Sequence, residues 1–393
     1  MVHCEIAAPP CSSWNAHKPG GRFMTRRSPP FRADHVGSLL RPPSLLAARK
    51  KTAEGAMTLA ELREIEDVEI KRVIAAQEAI GLRAVTDGEL RRAYFHLDFL
   101  ERLDGVSVEG AIAANSDAEK TVHFTPPRLS VTGRLRHARD IQVEDFKFLK
   151  AHVAHTPKIT IPSPTMVHFR GGRAAIDIHS YPDLDLFFED LAQCYRDEIA
   201  ALYAAGCRYM QLDDTNLAYL CDPKMRQGAR ERGDDPDQLP RTYAALINAA
   251  LRDKPSDLCV CVHLCRGNFR SAWFAEGGYE PVAEILFNEM NVDGYFLEYD
   301  DERSGDFSPL RFLPKHKIAV LGLVTSKRAA LEPQTELLAR IDEAARYAPL
   351  ENLCLSPQCG FSSTEHGNDI TEAEQWKKLA LVADTARRVW GEP

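Results

Sequence analysis

The chain has 393 residues, 49 basic and 57 acidic side chains, a net charge of −8 and 10 cysteines. That balance carries no electrostatic footprint for nucleic acid, and no apolar run reaches the roughly 18 residues of a membrane span. A secreted disulfide framework does not suit so long a chain, so a reducing, cytoplasmic setting fits better.

Residues 1–30 are rich in Pro, Gly, Ser and Arg and lack the apolar stretch of a signal peptide. They read as a disordered extension, with Met24 a candidate start, ahead of a single domain over 31–393. Eight apolar runs follow: Ala33–Leu39, Leu82–Thr86, Lys158–Pro162, Arg208–Leu212, Leu258–Leu264, Gly294–Leu297, Ile318–Val324 and Asn352–Leu355. Between them lie amphipathic helix patterns, as at Leu59–Ile80, Leu184–Ala205, Pro240–Leu251, Pro281–Phe287, Glu336–Ala348 and Thr371–Trp390. Eightfold alternation of strand and helix predicts an α/β fold, a single (β/α)8 TIM barrel, over the competing doubly wound sheet. The longest interruption, Phe95–Lys150, falls between strands two and three. Its alternating stretch Thr121–Leu135, with Pro126-Pro127 and Gly133, predicts a hairpin plus a helix that lids one end of the barrel. Cys221–Gln238 is polar, contains Gly233-Asp-Asp-Pro236 and reads as a surface loop. Phe169-Arg-Gly-Gly172 reads as a turn, not a phosphate loop, because no Lys-Ser/Thr follows.

In a barrel the site forms where strands meet the following loops. Those ends collect Asp34-His-Val-Gly-Ser38, Asp87-Gly-Glu89, Ser163-Pro-Thr165, Gln211-Leu-Asp-Asp214, His263-Leu-Cys265, Glu298-Tyr-Asp-Asp301, Thr325-Ser-Lys327 and Ser356-Pro-Gln-Cys359. His263 and Cys265 are two apart on one strand and so face the same way. With Cys359 and Glu298 at other strand ends they form a candidate N/S/O set for Zn²⁺. Cys259, Cys261 and Cys354 read as small core residues.

Two thiolates and a carboxylate on Zn²⁺ leave a net charge near −1, a poor setting for activating water. Such a zinc still binds a thiol and keeps it as a nucleophilic thiolate. Alkyl transfer to sulfur is therefore favoured over hydrolysis. Asp87, Glu89 and Asp213 at the barrel mouth would hold a cationic group on the thiol substrate, such as an α-ammonium.

The runs Arg32-Ala-Asp-His-Val-Gly-Ser38, Val85-Thr-Asp-Gly-Glu89, Gln211-Leu-Asp-Asp-Thr-Asn216, His263-Leu-Cys265, Gly277-Gly-Tyr-Glu280 and Ser356-Pro-Gln-Cys-Gly-Phe361 together resemble the catalytic barrel of the cobalamin-independent methionine synthase family. The likeness is to its short, single-barrel bacterial members and covers about residues 31–390. It implies zinc bound by His263, Cys265, Glu298 and Cys359, with Glu284 as the alternative carboxylate. It implies homocysteine held by Gly37, Ser38, Glu89 and Asp213, and methyl transfer from a methyltetrahydrofolate to give methionine. Two departures stand out. The additional N-terminal barrel of the full-length synthases is missing, and the family's His after strand seven is replaced by Thr325-Ser-Lys327, where Lys327 is the candidate acid for a leaving group. That leaves room for a non-folate donor, such as an epoxide or another methyl compound, and for another thiol such as coenzyme M. A non-catalytic zinc- or thiol-binding accessory protein is the rival of a different class. The expected partners are small molecules, and homo-oligomer formation is left open.

Overall fold

The computed structural model describes residues 26–110, 113–116, 122–125 and 127–392. The strands are β1 (Ala84–Val85), β2 (Asp104–Glu109), β3 (Ala113–Ser116), β4 (Val122–Thr125), β5 (Arg128–Arg136), β6 (Thr156–Pro157), β7 (Ile159–Pro162), β8 (Tyr209–Asp214), β9 (Cys259–Leu264), β10 (Gly294–Glu298), β11 (Ile318–Val324) and β12 (Leu353–Pro357). Strands β7 to β12 form one parallel sheet in chain order. Strand β6 pairs in parallel with β1, and only Lys158 separates it from β7. A parallel bridge joins Ala33 to Leu355 of β12.

The result is a TIM-barrel-like α/β fold. The ladder does not run all the way round among the described residues. Between the first run and β1 the contacts are Leu39 N–H to Gly88 O (3.0 Å), Thr86 Oγ1–H to Gly37 O (2.7 Å) and His35 Nε2 with Ala84 O (3.2 Å). The first expected strand, Ala33–Leu39, is thus a single bridge followed by a turn. Gly37 has φ 141° and cannot continue a pleated strand. The second expected strand shrinks to two residues. The fourth, sixth and eighth run further than expected, so Asp213, Asp214 and Glu298 are strand residues.

Period-2 alternation explains what faces inward. On β11, Ile318 and Val320 join a small inner cluster with Phe296, Tyr209, Cys261 and Cys354, while Ala319, Leu321 and Leu323 pack into the main core. The same alternation stacks Cys261, His263 and Cys265 on one inner column, and Tyr209, Gln211 and Asp213 on the next. The lower inner layer is polar but satisfied. Lys158 Nζ lies 3.1 Å from Asp34 Oδ1 and 4.0 Å from the Phe296 ring centre, and Tyr209 OH donates to Asp34 Oδ2 at 2.8 Å. Asp34 and His35, expected among the strand-end groups, instead belong to this layer. Burial and the Lys158 charge lower His35 to about 4.

The helices hold the sheet from outside. Leu59–Ala79 and Glu372–Trp390 each begin with a capping box, Thr58/Glu61 and Thr371/Glu374. Leu184–Ala204, Leu239–Ala250, Glu280–Glu289 and Gln334–Ala344 match expected helices within a few residues. Two differ. Pro43–Ala53 is an extra helix. The polar stretch at 221–238 contains the helix Pro223–Glu231, started by Asp222, whose side chain accepts from Lys224 N–H, and by Pro223 at its first position. Polarity there marked a solvent-facing helix, not a loop.

The insertion is an antiparallel arm. Strand β2 pairs with β5, and β3 with β4 beyond them. The arm is anchored at its base, where Leu135 N–H donates to Tyr181 OH (2.6 Å) and Arg134 pairs with Asp190 (2.7 Å). The expected helix follows at Val143–His152. Of the N-terminal stretch read as disordered, residues 1–25 lie outside the described residues. Residues 26–30 are placed, with Arg26 donating to Pro29 O (3.2 Å). No helix is long and apolar enough to cross a membrane among the described residues.

Candidate metal centre and substrate cleft

The inner columns of β9 and β10 and the turn after β12 converge on four side chains. One ligand atom from each of His263, Cys265, Glu298 and Cys359 lies within 4.8 Å of all the others. All four are buried, and Cys265 and Cys359 sulfurs stand 3.4 Å apart as free thiols. Among the described residues neither ring nitrogen of His263 makes a hydrogen bond of full geometry, although both are buried and the nearby Cys359 sulfur raises the imidazole's pKa against the effect of burial. Buried imidazole nitrogens are ordinarily satisfied, so this pair points to a missing ligand. Sulfurs on a tetrahedral Zn²⁺ at about 2.3 Å would lie about 3.8 Å apart, close to what is seen. The donor set fits zinc.

The thiols are not equivalent. The hydrogen bond from Cys265, opposed by burial, holds Cys359 well below the ordinary thiol range, while the same contact and burial push Cys265 up. Glu298 is fixed from behind. Its Oε1 accepts from Arg266 N–H (3.0 Å) and its Oε2 from Arg303 Nη2 (3.1 Å). The buried Arg266 guanidinium in turn bonds Gly277 O (2.8 Å) and Tyr279 OH (2.9 Å), and Tyr279 OH accepts from Glu298 N–H (2.9 Å). These supports orient the carboxylate as metal ligands require. Sequence reasoning noticed Gly277 and Tyr279 only as motif residues and missed both arginines. Glu284 is exposed on helix Glu280–Glu289 and takes no part in the cluster.

Above the cluster opens a cleft whose wall includes Ser38, Glu89, Asp213, His263, Cys265 and Cys359. Asp213 sits opposite His263 in the β8–β9 pairing, and its Oδ1 accepts from Gln211 Nε2 at 2.7 Å. Burial and the nearby Glu89 push Asp213 up to about 7. Two carboxyl groups facing one buried space lower each other's acidity until a cation arrives between them. Glu89 has φ 54° and is ion-paired with Arg92. Gly37 makes room for it, since a Cβ there would come 2.5 Å from Glu89 Oε1.

The remaining expected residues are placed differently. Asp87 does not line the cleft; its Oδ1 accepts from Glu89 N–H at 2.8 Å and shapes the turn. Asp214 is also occupied, accepting from Thr165 Oγ1 (2.5 Å) and Leu217 N–H (2.8 Å). Lys327 is buried behind the thiols, its Nζ has no hydrogen-bond partner among the described residues, and it is not part of the cleft wall. The wall also includes Arg92, Tyr94, Phe95, His96, Arg170 and Tyr219, of which only Arg170 lay in a run singled out from sequence, and there as part of a turn.

The burial of Asp87 gives a test of its role. Desolvation, with the Asp145 charge, raises its pKa from 3.8 to about 6. An acid raised on folding destabilises the fold progressively between those two values and by a constant amount above them. Asp87→Asn keeps the acceptor for Glu89 N–H and loses the charge. Its stability relative to the parent is expected to rise by about 1–3 kcal/mol between pH 4 and 6 and then level off. Denaturant midpoints at several pH values would reveal this. A difference independent of pH would show that the carboxyl is not penalised.

Comparison with known proteins gives a consistent result. The family described as cobalamin-independent synthase, catalytic domain, matches residues 31–381. The uncharacterized protein YxjH of Bacillus subtilis is 48% identical over 373 residues, 94% of this chain and 98% of that protein. The crystal structure of a putative vitamin-B12-independent methionine synthase from Listeria monocytogenes is 40% identical, with TM-score 0.75, covering 93% of this chain and 100% of that one. A B12-independent methionine synthase from Shewanella sp. W3-18-1, solved with selenomethionine, shares the fold at 19% identity and TM-score 0.69, covering 91% and 97%.

Proposed function

Because the chain belongs to the catalytic-domain family of cobalamin-independent methionine synthases, we propose that it is a zinc-dependent methyltransferase that moves a methyl group from a methyltetrahydrofolate-type donor to the thiol of homocysteine. The same reading takes the ring as an eight-stranded (β/α)8 barrel closed across the Gly37–Thr86 contact. The observation that carries it is the buried His263/Cys265/Glu298/Cys359 set, with neither His263 nitrogen in a hydrogen bond of full geometry among the described residues, beneath a cleft bearing Glu89 and Asp213.

When bound, zinc would supply a positive centre that lowers the pKa of the substrate thiol and keeps it as a nucleophile. The chain's own residues do the rest. Glu89 and Asp213 take the α-ammonium, and the Gly37-Ser38 turn receives the amino-acid backbone. Cys265, Cys359 and Glu298 give the donor set three negative charges against the two of zinc. Lys327, buried behind the thiols, offsets the remaining one. The walls of Phe269, Phe274 and Tyr219 keep the reacting atoms away from bulk water.

Purified, zinc-loaded protein is expected to form methionine from homocysteine and 5-methyltetrahydrofolate. Absence of product with every folate donor would remove the folate assignment. A second reading keeps the zinc and the thiol but takes a non-folate alkyl donor. It is favoured by Thr325-Ser-Lys327, which puts no imidazole where a leaving group would be protonated. Thiol alkylation by such a donor, in the absence of folate turnover, would select it.

A further inference from the structure

We infer that Arg170, with His96 beside it, forms an anion-binding subsite where the cleft continues into a second cavity, and that the alkyl donor is held there by a carboxylate or phosphate group. The inference rests on the proposed methyltransferase reading for the identity of the ligand as the donor, but the site itself is built from the chain alone.

The second cavity lies beside the start of β5 in the antiparallel arm and shares His96, Pro127 and Arg170 with the first. Its other walls are mainly apolar, among them Leu129, Met166 and Val167. The two spaces therefore meet along one wall, and the charged group on that wall is Arg170.

Arg170 is half-buried and makes no hydrogen bond or ion pair with any described residue. Other arginines near the cleft are committed: Arg92 to Glu89 and Ser363 O, Arg266 to Gly277 O, and Arg303 to Glu298. The turn at 168–172 explains why this one is free. Gly172 N–H returns to His168 O at 2.7 Å, and Gly172 has φ 54°. Phe169 is buried against Tyr219 and Tyr243, while the adjacent Arg170 is left on the cavity wall. The run read from sequence as a plain turn thus presents a guanidinium.

A second observation is independent of Arg170. His96 is only 7% exposed, lines both cavities, and its Nδ1 has no hydrogen-bond partner among the described residues. Burial, with the charges of Arg170 and Arg92, holds it neutral, well below the ordinary histidine range. An unpaired guanidinium beside an unpaired neutral imidazole suits an anionic oxygen group, which takes charge-assisted hydrogen bonds from the arginine. Glu89 and Asp213 beside the metal-ligand set favour a cation, whereas Arg170, on the wall shared with the second cavity, favours an anion.

The test uses zinc-loaded full-length protein and probes with an apolar body and one polar end: 4-phenylbutyrate, phenyl phosphate and the neutral 4-phenylbutyramide, titrated by ligand-observed NMR. Both anions are expected to bind at least tenfold more tightly than the amide. Arg170→Gln is expected to abolish that preference and Arg170→Lys to keep part of it, with the thermal midpoint unmoved because Arg170 bonds to no described residue. Equal binding of anion and amide, no binding of any probe at millimolar concentration, or a preference that survives Arg170→Gln would overturn the subsite. A separate arm measures turnover with homocysteine and the methyl donor. Arg170→Gln is expected to lower kcat/KM for the donor at least tenfold without changing KM for homocysteine. An anion preference sensitive to Arg170 in a protein that makes no methionine would leave the subsite standing and remove the folate reading. Methionine formation indifferent to Arg170→Gln would do the reverse.

Discussion

Cys265→Ser is expected to give a folded protein that has lost zinc affinity by at least on the order of 100-fold and has no measurable methyl transfer. Removing a group that only supports a ligand costs roughly 10–100-fold in affinity or activity, so removing the ligand itself costs more. A serine hydroxyl is not ionised near neutrality and is a harder donor than a thiolate. The backbone at this position stays tied, because Cys265 N–H donates to Asp214 O at 2.8 Å. The side chain's one hydrogen-bond contact is the sulfur of Cys359, so the barrel has little else to lose. Metal content, thermal midpoint and turnover should be measured together. Zinc and activity both retained would refute the ligand assignment, and a protein that unfolds on losing zinc would show the metal to be structural. Glu284→Ala, on the exposed face of its helix, should change none of the three.

Asp213→Asn is expected to raise KM for homocysteine by roughly ten- to 150-fold while leaving bound zinc unchanged. That range corresponds to about 1.5–3 kcal/mol for a hydrogen bond to a charged group. Asn keeps an acceptor for Gln211 Nε2, so the β8 column is preserved. Folding should not suffer, because a buried carboxyl raised to about 7 is already costly to ionise. Glu89→Gln should act on the same ammonium, so the double variant should lose less than the product of the two single effects. Full multiplicativity, or zinc loss in Asp213→Asn, would separate these residues from a shared ammonium site.

The periodicity of the chain carried most of the fold. β11 was read to the residue because seven consecutive residues, six with apolar side chains and one glycine, all buried, leave no other assignment. The first run was misread for a related reason. Its apolar positions suit a strand, but Gly37 turns the backbone to admit Glu89, and that need is tertiary. His263, Cys265, Glu298 and Cys359 were legible because strand alternation converts sequence spacing into a common direction. Arg266 and Arg303 were not. They act by bonding to Glu298 from other loops, and a surface-type residue gives no sign in sequence that it will be buried. Arg170 was hidden similarly, since only the folded turn reveals that no partner reaches it. Asp87 shows the opposite error: its motif was right, but its carboxyl is spent on the turn.

The antiparallel arm divides the molecule's future changes unequally. The four candidate ligands sit at three strand ends of one continuous sheet. The arm belongs to none of that sheet's ladders, and its residue Pro127 borders both cavities. Substitutions and length changes there are tolerated as in a surface loop. Remodelling the arm can thus reshape the Pro127 side of the wall shared by both cavities without touching the strands that carry the four candidate ligands.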